Sequence, residues 1–439
     1  MPAFREESRI QESGDGSLAL AGGPPRGPSP FARWVGSRRL ARPFWVFLLA
    51  SCLFNTGMFV YVLLYNLFLL DLGYREDFLG LLSSFTTAGN IAGTAGAVLL
   101  TRRIGLQKTV AVCLFASAAT SVLRALIVDE FALLGFAFLA GTFFALWAIS
   151  IAVIIAQTTP EDLRPFAFSV YLATAIGIGI VADPLGGHLP VWLGRMFGPA
   201  SPAVAKQWAL LVGCAFVFLS VLPALFLKLA PGADPGRLRY PRSPFVLRFL
   251  AAVAVMNVAT AAFNPFANAY FSQYLKMPVH EIGLVFSGGQ AGQVIAILLS
   301  PFILKRLGLI WGIMWIELAT GLSLALLATG PSAQVAVLGF AGYMAFQWMD
   351  EPAMESLLMT RVRPDERSGA SSMMYMTIFA SAAIAAPTSG KALTVFGYPT
   401  VLGAAAFLLM LGGLLFGLLL KGSAERAPEN PEATSRPAG

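Results

Sequence analysis

The 439-residue sequence predicts an all-α membrane protein, with twelve transmembrane helices arranged as two pseudo-symmetric six-helix bundles. Three observations carry this. The composition is 57% hydrophobic and only 12% charged, with a mean hydropathy of +0.72, whereas soluble domains carry about 25% charged residues. The apolar residues gather in twelve runs, each close to the ~20 residues that cross a bilayer as a helix. The chain also repeats itself. Gly80, Gly89, Gly105, Arg164, Pro184 and Gly187 recur as Gly283, Gly292, Gly308, Arg367, Pro387 and Gly390, always 203 positions on. The basic turn Arg102-Arg103-Ile104-Gly105-Leu106 is answered by Lys305-Arg306-Leu307-Gly308-Leu309. A period this long inside so apolar a chain marks two halves of one design.

In chain order, residues 1–42 are rich in Gly, Pro, Ser and Arg, without an apolar core of signal-peptide type, and are expected as a disordered tail. Runs at 43–70, 77–100, 108–128, 131–157, 166–189 and 207–229 form the first bundle, 43–229. The Pro-, Gly- and Arg-rich stretch 230–244 is the linker. Runs at 245–274, 281–304, 309–329, 334–360, 369–396 and 399–420 form the second bundle, 245–420, and 421–439 is a second disordered tail.

Most of the 30 basic residues fall in the tails and in the loops after even-numbered runs. The exceptions are Arg75, Arg124, Arg195, Lys206, Lys276 and Lys391. The positive-inside rule then places both termini in the cytoplasm, in a multi-pass cell (inner) membrane protein. The net charge of +7 needs no nucleic-acid partner, because a basic cytoplasmic face suits anionic lipid. Cys52, Cys113 and Cys214 lie in apolar runs and suggest neither disulfide nor metal framework. Two histidines and no Cys/His cluster argue against a structural or catalytic zinc site. No Walker A loop and no nucleophile–base pair stand out, so neither ATP hydrolysis nor another enzymatic activity is indicated. No cofactor is expected.

The densest local chemistry is in the tenth run: Gln347-Trp348-Met349-Asp350-Glu351-Pro352-Ala353-Met354-Glu355. On a continuous helix Gln347, Glu351 and Glu355 share one face, with Asp350 on the flank. A charge near the bilayer centre costs about 2.5–3.5 kcal/mol on insertion scales. Such acids face water or a partner, and Glu351, Asp350, Glu355 and Asp183 are the candidates for binding a coupling proton. Structural hydrogen bonding is the competing role, and it is the expected one for Glu317 in the ninth run. Asn55, Tyr61 and Asn66 in the first run and Asn264, Asn268 and Tyr270 in the seventh put polar groups where lipid-facing helices have none. With Gln347 and Trp348 they are the candidates for a central cavity, interhelical hydrogen bonding being the alternative. Pro265 is expected to break the seventh helix, a device of membrane binding sites and gates. No Lys or Arg stands in the middle of any apolar run. Acids without bases favour cationic, neutral or amphipathic ligands over anions.

Two motif sites and the six-plus-six repeat resemble the major facilitator superfamily of secondary transporters, over about residues 43–420. The turn Thr101-Arg102-Arg103-Ile104-Gly105-Leu106-Gln107-Lys108 is similar to the family's loop between helices 2 and 3. Arg103 and Gly105 fit, while Arg102 stands for an acid and Val98 for the first glycine. Gly179-Ile180-Val181-Ala182-Asp183-Pro184-Leu185-Gly186-Gly187 resembles the helix-5 motif of the family's exporters, with Asp183 in place of a glycine. The resemblance implies gating roles for Arg102, Arg103, Gly105, Gly179, Pro184 and Gly187, and by the repeat for Pro387. It also implies alternating access driven by an ion gradient, most often protons. The expectation is a monomeric, proton-coupled exporter of a small apolar or cationic compound. The alternatives are a proton-coupled importer of a neutral nutrient and a lysolipid or lipid transporter.

Overall fold

A computed structural model of the chain describes residues 40–198, 201–227, 229, 239–329 and 332–421, without the side chains of 98, 99, 102, 162 and 165. Most of both expected tails, most of the linker and the side chain of Arg102 lie outside the described residues.

Every regular element among the described residues is helical. The first half holds α1 (Arg42–Asp71), α2 (Glu76–Ile104), α3 (Leu106–Leu126), α4 (Glu130–Thr158), α5 (Arg164–Phe197) and α6 (Pro202–Leu219). The second holds α7 (Pro244–Ala261, prolonged irregularly to Tyr274), α8 (Val279–Leu307), α9 (Leu309–Thr329) and α10 in two pieces, Ala333–Gln347 and Glu351–Arg361. The last run, Arg367–Leu420, is two helices, α11 and α12, joined at Gly397, whose φ of 75° interrupts the helical path. Among the described residues nine helices are long and apolar enough to cross a membrane. That number takes Pro364–Leu420 as one and leaves out α2, whose middle is rich in Ser, Thr and Gly, and the broken α10. With these the crossings are the expected twelve.

Local chemistry sets the breaks. Gly105 and Gly308 end α2 and α8 with φ of 82° and 77°, a region that disfavours a side chain. Their N–H groups donate to Thr101 O and Leu304 O at 2.9 and 2.8 Å, so the repeat holds down to single bonds. Ser201, Ser243 and Ser332 cap α6, α7 and α10, each accepting from the N–H three residues on. In α7, Pro265 has no N–H for Ala261 O, and the helix passes through a 3₁₀ turn and a π turn at Tyr270–Tyr274.

Helix α10 corrects an expectation. It stops at Gln347 and restarts at Glu351, with Asp350 as the new N-cap. Pro352 explains this, because it cannot donate to Trp348 O and its ring crowds that carbonyl, a penalty of about 3 kcal/mol in a helix interior. Gln347 is therefore out of register with Glu351 and Glu355, which share the second piece.

Packing follows the repeat. In the first half α1 packs on α5 and α6, α2 on α4, and α3 on α4 and α6. In the second, α8 packs on α10, and α9 on α10 and on the α11–α12 run. The halves meet where α2 lies against the α11–α12 run and α5 against α8. Twelve crossings put the ends Arg42 and Leu420 on one side, here called near; the α1–α2, α5–α6 and α7–α8 turns are on the far side. One large buried cluster joins residues of both halves, among them Leu64, Phe68, Leu79 and Leu82 with Phe263, Tyr270, Ile282 and Phe340. A separate cluster around Phe249, Ile313, Leu357 and Phe416 belongs to the second half alone.

Candidate functional site

The two halves meet along two seams related by the repeat. A Cβ on Gly80 of α2 would come within 3.1 Å of Pro387 Cα on α11, and one on Gly283 of α8 within 3.3 Å of Pro184 Cα on α5. In the same way Gly390 faces Asp77 Cα at 3.1 Å and Gly187 faces His280 Cα at 3.0 Å. All four sites are near-contacts of backbone with backbone, which only glycine allows. They lie towards the far-side ends of their helices, so the far side is closed.

Each seam contains a proline with a specific consequence. Pro184 cannot donate to Ile180 O, and Pro387 cannot donate to Ala383 O. Both carbonyls are instead filled from the opposite half. Ser287 Oγ donates to Ile180 O at 2.7 Å, and Ser84 Oγ donates to Ala383 O at 2.6 Å. The two serines are themselves repeat mates. Bending prolines and cross-lobe hydroxyls form matched latches, each worth about 0.5–1.5 kcal/mol net.

Asp183 breaks the symmetry. It is 2% exposed, and its Oδ2 accepts from Gln290 Nε2 across the seam at 2.6 Å. Gly179 leaves room for the Gln290 side chain. The helix-5 residues Gly179, Asp183, Pro184 and Gly187 are therefore brought together along α8. Pro387 holds the mate position in the other seam.

The α1–α7 crossing adds a third contact between the halves. Asn66 Nδ2 donates to Pro265 O at 2.7 Å and lies 3.4 Å from Asn268 Oδ1. Asn268 Nδ2 donates to Leu63 O at 3.0 Å. These hydrogen bonds tie the two halves together on the far side. Asn264 accepts from Tyr343 OH at 2.7 Å and Tyr270 donates to Leu327 O at 2.9 Å, both inside the second half. Tyr270 is fully buried in an aromatic group with Phe263, Phe271 and Tyr398. Tyr61 is buried inside the first half, donating to Ser121 O at 3.2 Å. For Tyr61 and Tyr270 the structure thus differs from a cavity position: each ring needs a partner for its hydroxyl and finds a carbonyl within its own half. Asn55 and Gln347 are half-buried, and Trp348 is exposed.

The acids of α10 separate into two environments. Asp350, 1% exposed, lies near Glu317 of α9, 6% exposed, and neither Asp350 carboxyl oxygen has a hydrogen-bond partner among the described residues. Two neighbouring carboxyl groups away from water cannot both carry charge at tolerable cost. Glu351 and Glu355 are half-buried one turn apart, and both neighbour Tyr375 of α11. The ion pairs among the described residues are Arg164–Glu161, Lys206–Asp71 and Arg239–Asp365, which leaves the α10 acids without a basic partner there. Arg103 is exposed beside the Gly105 turn.

Sequence reasoning missed Ser84 and Ser287, although their 203-residue offset was in view. It expected a structural hydrogen bond for Glu317 and did not connect that residue with Asp350. The distance between α9 and the Asp350 turn depends on the α10 break, which periodicity does not report.

Comparisons with known proteins agree with this architecture. A Major Facilitator Superfamily model matches residues 247–439, and an MFS_1 like family model matches residues 37–189. Comparison with curated protein sequences gives no match. Among solved structures, the chain is similar to the nucleoside transporter NupG, with TM-score 0.69 and 17% identity over 87% of this chain and 100% of that one. A D-xylose-proton symporter gives TM-score 0.68 and 13% identity over 85% and 96%. A bacterial homolog of the human lysosomal transporter Spinster, inward-facing and unoccupied, gives 0.68 and 13% over 87% and 98%. At these identities the likeness establishes the fold. With one superfamily matched in each half and its fold in the whole, the chain belongs to the major facilitator superfamily, a multi-pass membrane family of secondary transporters and not of enzymes.

Proposed function

We propose that this transporter is a proton-coupled exporter of a small apolar or cationic compound, working by alternating access from a cell (inner) membrane with both termini in the cytoplasm. In that orientation the far side is outside, and the arrangement described is closed towards it. The observation that carries the reading is Asp183, a carboxyl group buried on the contact surface between the lobes. A charge in the closed seam is costly, and separation of α5 from α8 hydrates it. Protonation from outside thus favours closure, the direction an exporter exchanging substrate for protons requires. Glu351 is the leading coupling acid of α10, supported by Asp350 and Glu355. The absence of Lys and Arg from the middle of the spans supports a cationic or apolar substrate over an anion. The exporter-like text of α5 supports direction.

The test uses inside-out vesicles with an imposed pH gradient, after a thermal-stabilisation panel of organic cations, neutral sugars and lysolipids has identified a ligand. Glu351→Gln keeps size and hydrogen bonding but cannot titrate. It is expected to insert, fold and bind, and to lose gradient-driven accumulation. Full accumulation by this variant would overturn the role of Glu351, and stabilisation by sugars or lysolipids alone would overturn the substrate class.

A further inference from the structure

The chain has two histidines, and they meet each other across the α5–α8 seam. The rings of His188 and His280 have centroids 5.4 Å apart with planes at 52°. The backbone sets this meeting, because Gly187, next to His188, lies directly against Val279 O and His280 Cα. His188 Nδ1 is 2.8 Å from Pro184 O. A carbonyl can only accept, so Nδ1 carries the proton and Nε2 keeps a free lone pair. Metal-ligating histidines are prepared in this way, with one ring nitrogen donating to a backbone carbonyl while the other binds.

The spacing also fits. Two imidazoles on one tetrahedral ion, with metal–nitrogen bonds of about 2.0–2.1 Å, have ring centres about 5.2 Å apart. Both side chains are half-buried, so water can complete the coordination. Among the described residues no group of three or more His, Cys, Asp and Glu side chains is placed to hold a metal, so the two imidazoles would be the site's only ligands of these types. The repeat mates of the two histidines are Lys391 and Asp77, side chains of opposite charge at the corresponding place in the other seam.

We propose that His188 and His280 form a cross-lobe site for a divalent transition-metal ion of the kind imidazole binds, Zn²⁺ first, and that the bound ion holds the far side closed. Imidazole selects Zn²⁺ over Mg²⁺, which takes oxygen ligands and retains its water. The site is independent of the proton-coupling reading, and its test reads binding and distance without transport.

The test uses full-length protein without a polyhistidine tag, in lipid nanodiscs. ZnCl₂ titrated by calorimetry is expected to bind at one ion per chain, and MgCl₂ at none. His188→Ala and His280→Ala are each expected to weaken Zn²⁺ binding on the order of tenfold or more, with melting temperatures unchanged in the absence of metal. His188→Gln and His280→Gln serve the same purpose if the alanine variants do not fold. Spin labels at Phe131→Cys and Phe396→Cys, in a background without the native cysteines, are expected to shift to the short far-side distance on adding ZnCl₂. No saturable Zn²⁺ binding by the native protein, or undiminished binding when both histidines are replaced, would overturn the site. An unchanged distance distribution with Zn²⁺ bound would overturn its closing role.

Discussion

Asp183 and Gln290 stand where the repeat places Ala386 and Thr87 in the other seam, so one contact between the lobes holds a buried carboxyl and its twin does not. The serine latches are the symmetric part. Ser84→Ala and Ser287→Ala each remove one cross-lobe hydrogen bond and leave a proline-freed carbonyl unfilled. Each should favour the far-side-open state by about 0.5–1.5 kcal/mol. The two effects should add, because the seams are separate. Far-side distance distributions check this, and no shift in either variant would mean that the hydroxyls are incidental to closure. Asp183→Asn is expected to behave differently. It preserves an amide partner for Gln290, so closure should persist while the proton-dependent part of the equilibrium is lost.

At the scale of elements, the seams depend on glycine more than on any side chain. Gly80→Leu and Gly283→Leu place a branched chain where the opposing backbone already stands within about van der Waals contact. Both variants should fold and insert, since the added atoms reach solvent once the lobes part, and both should be held far-side-open. Spin-label distances report the outcome, and native-like closure would show that the seam yields. These elements were largely legible in the sequence. Repeated Gly and Pro located both seams, Gly105 and Gly308 located matched turns, and Pro265 located the α7 break. Helix α10 was misread because Gln347, Glu351 and Glu355 fit a helical period, and periodicity outweighed Pro352. The cavity assignments of Tyr61 and Tyr270 went further than composition allows. A tyrosine among apolar residues can satisfy its hydroxyl inside one lobe as readily as between two.

For the whole molecule, the large buried cluster shared by both halves, the two glycine seams and the α1–α7 crossing all act towards one side. Alternating access, as proposed, requires these far-side contacts to be broken and remade in each cycle. The central claim is that protonation of Asp183 governs that step. The most direct measurement is the far-side distance between spin labels at Phe131→Cys and Phe396→Cys as a function of pH. It is made without added metal and with His188→Gln and His280→Gln present, so that no imidazole titrates. The account predicts a short distance in acid, a growing long-distance population as the pH rises, and a short distance at every pH once Asp183→Asn is added. A distribution that does not change with pH, or a pH response that survives Asp183→Asn, would contradict it.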